Sequence, residues 1–293
     1  LTHQPPRWAL IVHGGAKEIA PGEEEENRSG LREAIGAGQD ILERGGTAVD
    51  AVEASIRVLE ALPVFNAGYG SALNHVGEVE MCAAIMDGNT LDIGAVGALK
   101  GVRHPVSVAR AMLPEQPILI AGEGAFMFAR DHHAELCDPA ELITEKQRNE
   151  SHDTVGAVAL DQNGNLAAGT STGGLPGQLK GRMGDSAVPG CGYYADNHIG
   201  AVALSGDGEG IARLAAAAQI MGAIEGDGPE GAIAKALSQM HRVGGDAGGI
   251  AIDRGGRMGW WHNSPDFAVA MTAQEFTAPR IWLNKEEDAQ VHG

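Results

Sequence analysis

Positive charge is what this chain has least of relative to its opposite. Lys and Arg together number 21 against 39 Asp and Glu, leaving a net charge of −18. Binding to a phosphate backbone draws on clustered Lys and Arg, so nucleic acid is excluded as an expected partner. The excess of acid fits a protein that avoids self-association in solution. Cysteine is scarce as well: Cys82, Cys137 and Cys191 are odd in number and widely spaced, with no CxxC pair or zinc-ligand spacing. Buried thiols in a reducing compartment are the expectation. No apolar run reaches the ~18 residues of a membrane span, so no membrane partner is expected. The opening Leu1-Thr-His-Gln-Pro-Pro6 has no basic segment followed by an apolar one. A cytoplasmic protein is therefore expected.

Common chemical signatures are also missing. GxG occurs at Gly68–Gly70, Gly122–Gly124 and Gly206–Gly208, but none extends to GxGxxG between a strand and a helix, and GxxxxGK[ST] does not occur. His132-His133 lacks an HExxH context, and GxSxG is absent. Nucleotide binding, zinc catalysis and a serine nucleophile elbow have no support.

What is present is glycine, at 43 of 293 residues, about twice the usual ~7%. The glycines cluster where apolar runs end, positions that need positive φ or close backbone approach. Strands are predicted at Trp8–His13, Glu78–Met86, Leu91–Leu99, Pro117–Ala121, Val155–Leu160, Leu166–Ser171, Ile199–Leu204, Gly249–Asp253 and Met258–His262. Helices are predicted at Leu31–Arg44, from Thr47 (a cap, with Asp50 at N3) to Pro63, and at Pro105–Met112, Phe126–Glu135, Ile211–Ile224 and Glu230–Met240. Glu23–Glu26 reads as a solvated loop or a first helical turn. Asp138–Asp153 is the most polar stretch and reads as a linker. Hairpin signals at Gln162-Asn-Gly164 and Gly255-Gly256 imply antiparallel pairing. The fold class is α+β, as two antiparallel sheets between helical layers.

One composition boundary stands out. The polar stretch ends at Asp153, and Thr154 opens a β-prone apolar run. Taken alone, Thr154 is an ordinary strand-start threonine. If the chain is cut ahead of it, Thr154 gains an α-amine able to act as base for its own hydroxyl.

Several segments together carry a family resemblance. They are His13-Gly-Gly-Ala16, Phe65-Asn-Ala-Gly68, Met86-Asp-Gly88, Gly122-Glu-Gly124, Thr154–Val158, Thr170-Ser-Thr-Gly-Gly174, Gly181-Arg182 to Asp185, and Gly206 to Glu209. Spanning about residues 8–265, the chain resembles the threonine-type N-terminal-nucleophile hydrolases of the isoaspartyl peptidase and plant-type asparaginase family. That resemblance implies a four-layer αββα sandwich in one domain, residues 1–293. It implies a self-cut between Asp153 and Thr154, giving an α chain 1–153 and a β chain 154–293. It also implies hydrolysis of small β-aspartyl peptides and L-asparagine, no catalytic cofactor, and a homodimer of αβ units.

The resemblance implies residue roles as well. Thr154 is the nucleophile, Thr172 orients it, Ser205 and the Gly206 N–H form the oxyanion hole, and Asn66 lies close to the nucleophile. Arg182 and Asp185 read the substrate's α-carboxylate and α-ammonium, with Gly206, Asp207 and Gly208 around them. A structural sodium ion is implied on the main-chain carbonyls of Leu59, Glu60, Leu62, Phe65, Ala67 and Tyr69, since such oxygens suit a hard cation. Cys82, Ser205 and Asp207 depart from the family's usual residues, and the linker is short for the family. Asp207 is expected to disfavour acidic leaving groups. Two alternatives stay open: a glycosylasparaginase-type amidase, which His152-Asp153-Thr154 resembles, and an uncleaved relative without enzymatic activity.

Overall fold

The computed structural model describes residues 8–144 and 154–292. Asp153 and the rest of 145–153 lie outside the described residues. Two β-sheets and a set of helices make a mixed α+β fold. No helix among the described residues is long and apolar enough to cross a membrane.

The larger sheet has eight strands. They are β1 (Ala9–Gly15), β2 (Met81–Asp87), β3 (Ile93–Leu99), β4 (Leu119–Ala121), β5 (Thr154–Leu160), β6 (Leu166–Thr172), β11 (Ala268–Ala273) and β12 (Arg280–Trp282). Their order is β12-β11-β1-β5-β6-β2-β3-β4. The smaller sheet runs β10-β9-β8-β7, from β7 (Tyr193–Asp196), β8 (Gly200–Gly206), β9 (Ala247–Asp253) and β10 (Met258–His262). Every pair is antiparallel except β3–β4, which corrects the expectation of two wholly antiparallel sheets. The exception has a cause in connectivity: helix α3 (Pro105–Ala111) lies between those two strands and supplies the crossover that parallel neighbours require.

Side chains alternate across each strand and so divide the core. Leu10 and Val12 of β1 join Val155 and Ala157 of β5 beneath helices α1 (Glu24–Glu43) and α2 (Ala48–Ala61). Ala9 and Ile11 face the other way, joining Val158, Ile250, Ile252 and Trp260 in a second apolar cluster. Val202 and Leu204 of β8 point beyond that cluster to a third, with Ile220 and Ile233 of α6 (Ala216–Leu237). Truncating a fully buried leucine such as Leu10 costs about 2–5 kcal/mol.

Helix boundaries differ from expectation at several points. Helix α1 starts at Glu24, so the acidic run forms its first turn, where carboxylates complement the positive end of the helix. Thr47 caps α2 as expected: its Oγ1 accepts from Asp50 N at 3.1 Å, a cap worth about 1 kcal/mol. Helix α4 spans Gly122–Asp131 and takes Gly122-Glu-Gly124 into its first turn. The predicted helix over Ile211–Ile224 is broken at Ala215, whose left-handed φ of 46° ends α5 (Gly208–Leu214). Helix α6 then runs past a kink at Gly228-Pro229 to Leu237. Within the expected linker, Asp138 caps a 3-10 turn over Pro139–Leu142, and Leu142 is buried beside Val79 and Met81. A last helix, α7 (Lys285–His292), follows β12.

Candidate active site

The hairpin of β5 and β6 sets the geometry. Asp161 Oδ1 accepts the Asn163 and Asn165 N–H groups within the turn, and Gly164 takes a φ of 83°. That turn pairs Leu160 with Leu166 and, at the far end, Thr154 with Thr172. Cys82 of β2 pairs with Thr172 from the other side. Thr154, Thr172 and Cys82 therefore stand side by side at one end of three adjacent strands. All three are buried, and burial pushes the Cys82 thiol up.

Ser205 comes from the end of β8 in the other sheet. Its Oγ accepts the Thr154 N–H at 3.1 Å and the Ala16 N–H at 3.1 Å. A hydroxyl has two acceptor lone pairs and one proton. With both lone pairs engaged, the Ser205 proton is left to be donated elsewhere, as an oxyanion-hole donor requires. Gly206, next in the chain, has a φ of 136°, and a Cβ there would overlap the Asp246 carbonyl oxygen.

The Thr154 hydroxyl has a neighbour to which the sequence assigned no role. Ser186 Oγ lies 3.0 Å from Thr154 Oγ1, and Thr170 Oγ1 donates to the Ser186 carbonyl at 2.6 Å. The one sequence-level sign was its place directly after Asp185.

Arg182 and Asp185 line the same narrow cleft as Thr154, Thr172, Gly206 and Gly208. The Arg182 fork is engaged by Glu209, with Nε to Oε1 at 2.9 Å and Nη2 to Oε2 at 2.7 Å; Nη1 reaches Gln178 Oε1 at 3.3 Å. This pairing holds the Glu209 carboxyl below its ordinary value. Asp185 is only 3% exposed, and its Oδ2 has no hydrogen-bond partner among the described residues. Burial pushes its pKa up to about 7, against the pull of its own backbone and of Arg182. Gly208 keeps space beside that carboxyl, since a Cβ would stand 2.6 Å from Asp185 Oδ1.

Asp207 is placed otherwise than expected. It is exposed and does not line the cleft; its Oδ1 accepts the Gly210 N–H at 2.9 Å as the cap of α5. The local reason is the short connection from β8 to α5, which puts Asp207 at the position where a carboxylate satisfies a free helical N–H. Asn66 is buried behind the lining and braces the loop after Thr172. Its Nδ2 donates to the Gly174 carbonyl at 2.7 Å, and its own carbonyl accepts the Gly173 N–H at 2.8 Å. His13 is fully buried, which lowers its pKa to about 3 and keeps it neutral. The Thr154 backbone opposes that shift, although neither ring nitrogen meets a partner in hydrogen-bond geometry among the described residues.

Among the described residues no group of three His, Cys, Asp or Glu side chains is placed to hold a metal. The main-chain carbonyls at the end of α2 and in the loop after it are a separate matter. A Cβ on Gly68 would overlap the Glu60 carbonyl oxygen, and one on Gly70 that of Phe65. Both oxygens thus lie against glycine backbone that leaves no room for a side chain.

The sequence has counterparts in known proteins. A family model described as asparaginase matches residues 6–152 and 144–278. A Danio rerio protein named isoaspartyl peptidase/L-asparaginase is 42% identical over 267 residues, covering 84% of this chain and 86% of that protein. Proteins of the same name from Xenopus laevis and Bos taurus are 41% identical over 266 residues and 39% over 284; they cover 84% and 89% of this chain, and 86% and 92% of their own lengths. A match of this extent, over a chain that brings two threonines, a serine and an Arg–Asp pair to one site, means that the chain belongs to the asparaginase family.

Proposed function

We propose that this protein is a self-cleaving amidohydrolase that releases L-aspartate from β-aspartyl peptides and L-asparagine. The observation that carries the reading is the setting of Thr154. Its nitrogen rests on Ser205 Oγ, its hydroxyl lies beside Ser186, and both sit at a cleft lined by Arg182 and Asp185. The names of the relatives point to the same chemistry.

Maturation begins with attack of Thr154 Oγ on the Asp153 carbonyl. The acyl group moves from nitrogen to oxygen, and water then opens the ester to give chains 1–153 and 154–293. The freed α-amine has an ordinary pKa of ~7.7–8, so it is substantially neutral near pH 7.5 and competent as a base. In turnover it takes the Thr154 hydroxyl proton while Oγ attacks the substrate's side-chain carbonyl. The negative charge on that oxygen is met by the Ser205 hydroxyl and the Gly206 N–H; losing one such donor costs about 3–4 kcal/mol. The C–N bond breaks, the amine leaves with the proton, and water hydrolyses the acyl-enzyme, returning Oγ to threonine.

Arg182 suits the substrate α-carboxylate because Nη1 and Nη2 each keep a proton beyond those given to Gln178 and Glu209, and together these make a fork of two parallel donors. Asp185, whose Oδ2 has no hydrogen-bond partner among the described residues, suits the α-ammonium. Thr172 stands opposite Thr154 to hold the strand end, and Asn66 fixes the loop behind it. Asp207 is left out of substrate contact in this reading.

The same reading includes a four-layer αββα sandwich, supported by three apolar clusters that alternate with the two sheets. It includes a sodium ion on the carbonyls of Leu59, Glu60, Leu62, Phe65, Ala67 and Tyr69. Main-chain oxygens suit a hard cation, which would brace the loop carrying Asn66. A cytoplasmic dimer of αβ units completes it.

A denaturing gel with N-terminal sequencing tests the proposal. Two fragments are expected, one beginning at Thr154, and Thr154→Ala abolishes both cleavage and hydrolysis. A single band with no hydrolysis after days at 37 °C would identify an uncleaved, non-enzymatic relative. Faster turnover of glycosylated asparagine than of a β-aspartyl dipeptide would favour the glycosylasparaginase alternative.

A further inference from the structure

We infer that the Ser186 hydroxyl is the fixed hydrogen-bond donor to Thr154 Oγ, a positioning contact that serves both self-cleavage and turnover; this rests on Thr154 being the nucleophile. Resemblance gives the orienting role to Thr172. Beside it, Ser186 Oγ stands 3.0 Å from Thr154 Oγ1, a hydroxyl contact to the nucleophile to which the resemblance assigns no role.

The direction of the bond follows from proton bookkeeping. In turnover the Thr154 O–H must point to its own α-amine, which receives the proton. A nucleophilic oxygen in that orientation can only accept from a second neighbour. Ser186, whose hydroxyl can serve as either donor or acceptor, therefore donates. Its bond aims the remaining Oγ lone pair by occupying the one not used in attack. When the ester later breaks, Oγ is the leaving atom, and the same donor stabilises the charge that develops on it. No proton leaves Ser186 at any step: the Thr154 proton travels through the α-amine to the departing amine, and water supplies its replacement.

Two features make Ser186 a rigid donor rather than a passing contact. It is 1% exposed, so bulk water does not readily take its place. Its backbone is tied on both sides: Thr170 Oγ1 donates to the Ser186 carbonyl at 2.6 Å, and the preceding Asp185 carbonyl accepts the Val188 N–H at 2.9 Å. Thr170 lies two residues before Thr172 on β6, so both hydroxyls leave the same face of the sheet. β6 thereby anchors Ser186 at Thr170 while Thr172 faces Thr154. Asp185, adjacent in the chain, belongs to the substrate-binding end of the cleft, so the residue pair 185–186 joins substrate recognition to nucleophile alignment.

The test compares wild type with Ser186→Ala and Ser186→Cys, each measured on its fully cleaved fraction with a β-aspartyl dipeptide. Alanine removes the donor; cysteine fills the space with a weak one. Both variants are expected to lose roughly tenfold in kcat, with KM within about twofold and Tm close to wild type. The half-time of self-cleavage should lengthen by a similar factor, and the pKa on the kcat profile should stay put, since the donor acts on Oγ and not on the amine. Unchanged kcat in both variants overturns the inference. So does a joint shift of kcat, KM and Tm in both, which would make Ser186 a packing residue. Thr154→Ala separates this from the larger reading: if Thr154→Ala is dead while the Ser186 variants are fully active, only the Ser186 role fails. Hydrolysis retained by Thr154→Ala removes the nucleophile assignment itself.

Discussion

Arg182 grips Glu209 with two parallel hydrogen bonds, at 2.9 and 2.7 Å, on the rim of the cleft that holds Thr154. The guanidinium is thus already arranged as a carboxylate receptor, with a carboxylate in it. Two-point geometry of this kind is something a single ammonium cannot reproduce. Arg182→Lys is expected to raise KM for β-aspartyl dipeptides at least about tenfold while lowering kcat less, as read from initial rates. A KM within twofold of wild type would remove Arg182 from substrate binding.

Asp185 predicts a specific pH dependence. Its pKa is pushed up to about 7 by burial, so in the free enzyme it gains a proton as pH falls through 7. The α-amine of Thr154, ordinarily at ~7.7–8, gains one over a nearby range. Both protonations oppose activity. A bound substrate ammonium, however, favours the Asp185 carboxylate and drops it from the titration of the complex. On logarithmic axes kcat/KM should therefore fall with a slope approaching two below pH 7, while kcat falls with a slope of one. Asp185→Asn should bring kcat/KM to a slope of one at a lower level. Equal slopes for wild type and variant would mean that Asp185 is already ionised.

The same raised pKa has a sign for stability. Between about 4 and about 7 the folded state keeps a proton that the unfolded chain has released, so this group's contribution is present below about 4 and lost as pH rises to about 7. Asp185→Asn is expected to raise Tm at pH 8 and to leave it little changed at pH 4.

Gly156 is where the catalytic strand has no room to spare. A Cβ there would overlap His13 Nε2 and stand 3.1 Å from Ala203 Cβ. Both neighbours are buried, so Gly156→Ala must displace β5 near its start. About 1–3 kcal/mol of destabilisation is expected from chemical denaturation, with slower self-cleavage on a time-course gel. Unaltered stability would indicate that His13 turns aside freely.

Asp207 is a cap rather than a pocket wall. Asp207→Ala should cost about 1 kcal/mol of stability, while Asp207→Ser restores most of it. The ratio of β-Asp-Glu to β-Asp-Lys hydrolysis should move by less than twofold in either variant. A larger change would return Asp207 to the leaving-group side of the site.

The legible parts of this molecule are those whose cause is local. Asn163-Gly164 between two apolar runs marks the β5–β6 hairpin, and with it the pairing of Thr154 with Thr172. Thr47 with Asp50 marks the start of α2. The break at Ala215 has no such mark, because alanine is the best helix former and takes a left-handed φ here only under tertiary constraint. β7 and β11 were missed for a related reason: Tyr193–Asp196 is only four residues long, and Ala268–Ala273 is half alanine, which is weak in strand propensity. At the site, Thr154, Arg182 and Asp185 stand out through their motifs. The contacts Ser186 to Thr154 and Ala16 to Ser205 join residues 32 and 189 positions apart, and no spacing rule reaches that far. For Asp207, adjacency to pocket glycines says nothing about which way a side chain turns.

The order of strands in the larger sheet has a consequence for what a cut before Thr154 does to the molecule. β5 lies between β1 and β6, β6 pairs with β2, and β1 also pairs with β11. Blocks of strands from the two sides of the cut therefore interleave, with β1 seated between β11 and β5 and β6 against β2, and each fragment completes the other's hydrogen-bond ladder. The uncut chain can regain this interleaving by a first-order process. Two separate fragments must first meet, so their recovery from denaturant becomes second order and slows on dilution. A single hydrolysed bond would thus turn a molecule that can rebuild itself alone into one that needs its other half in solution.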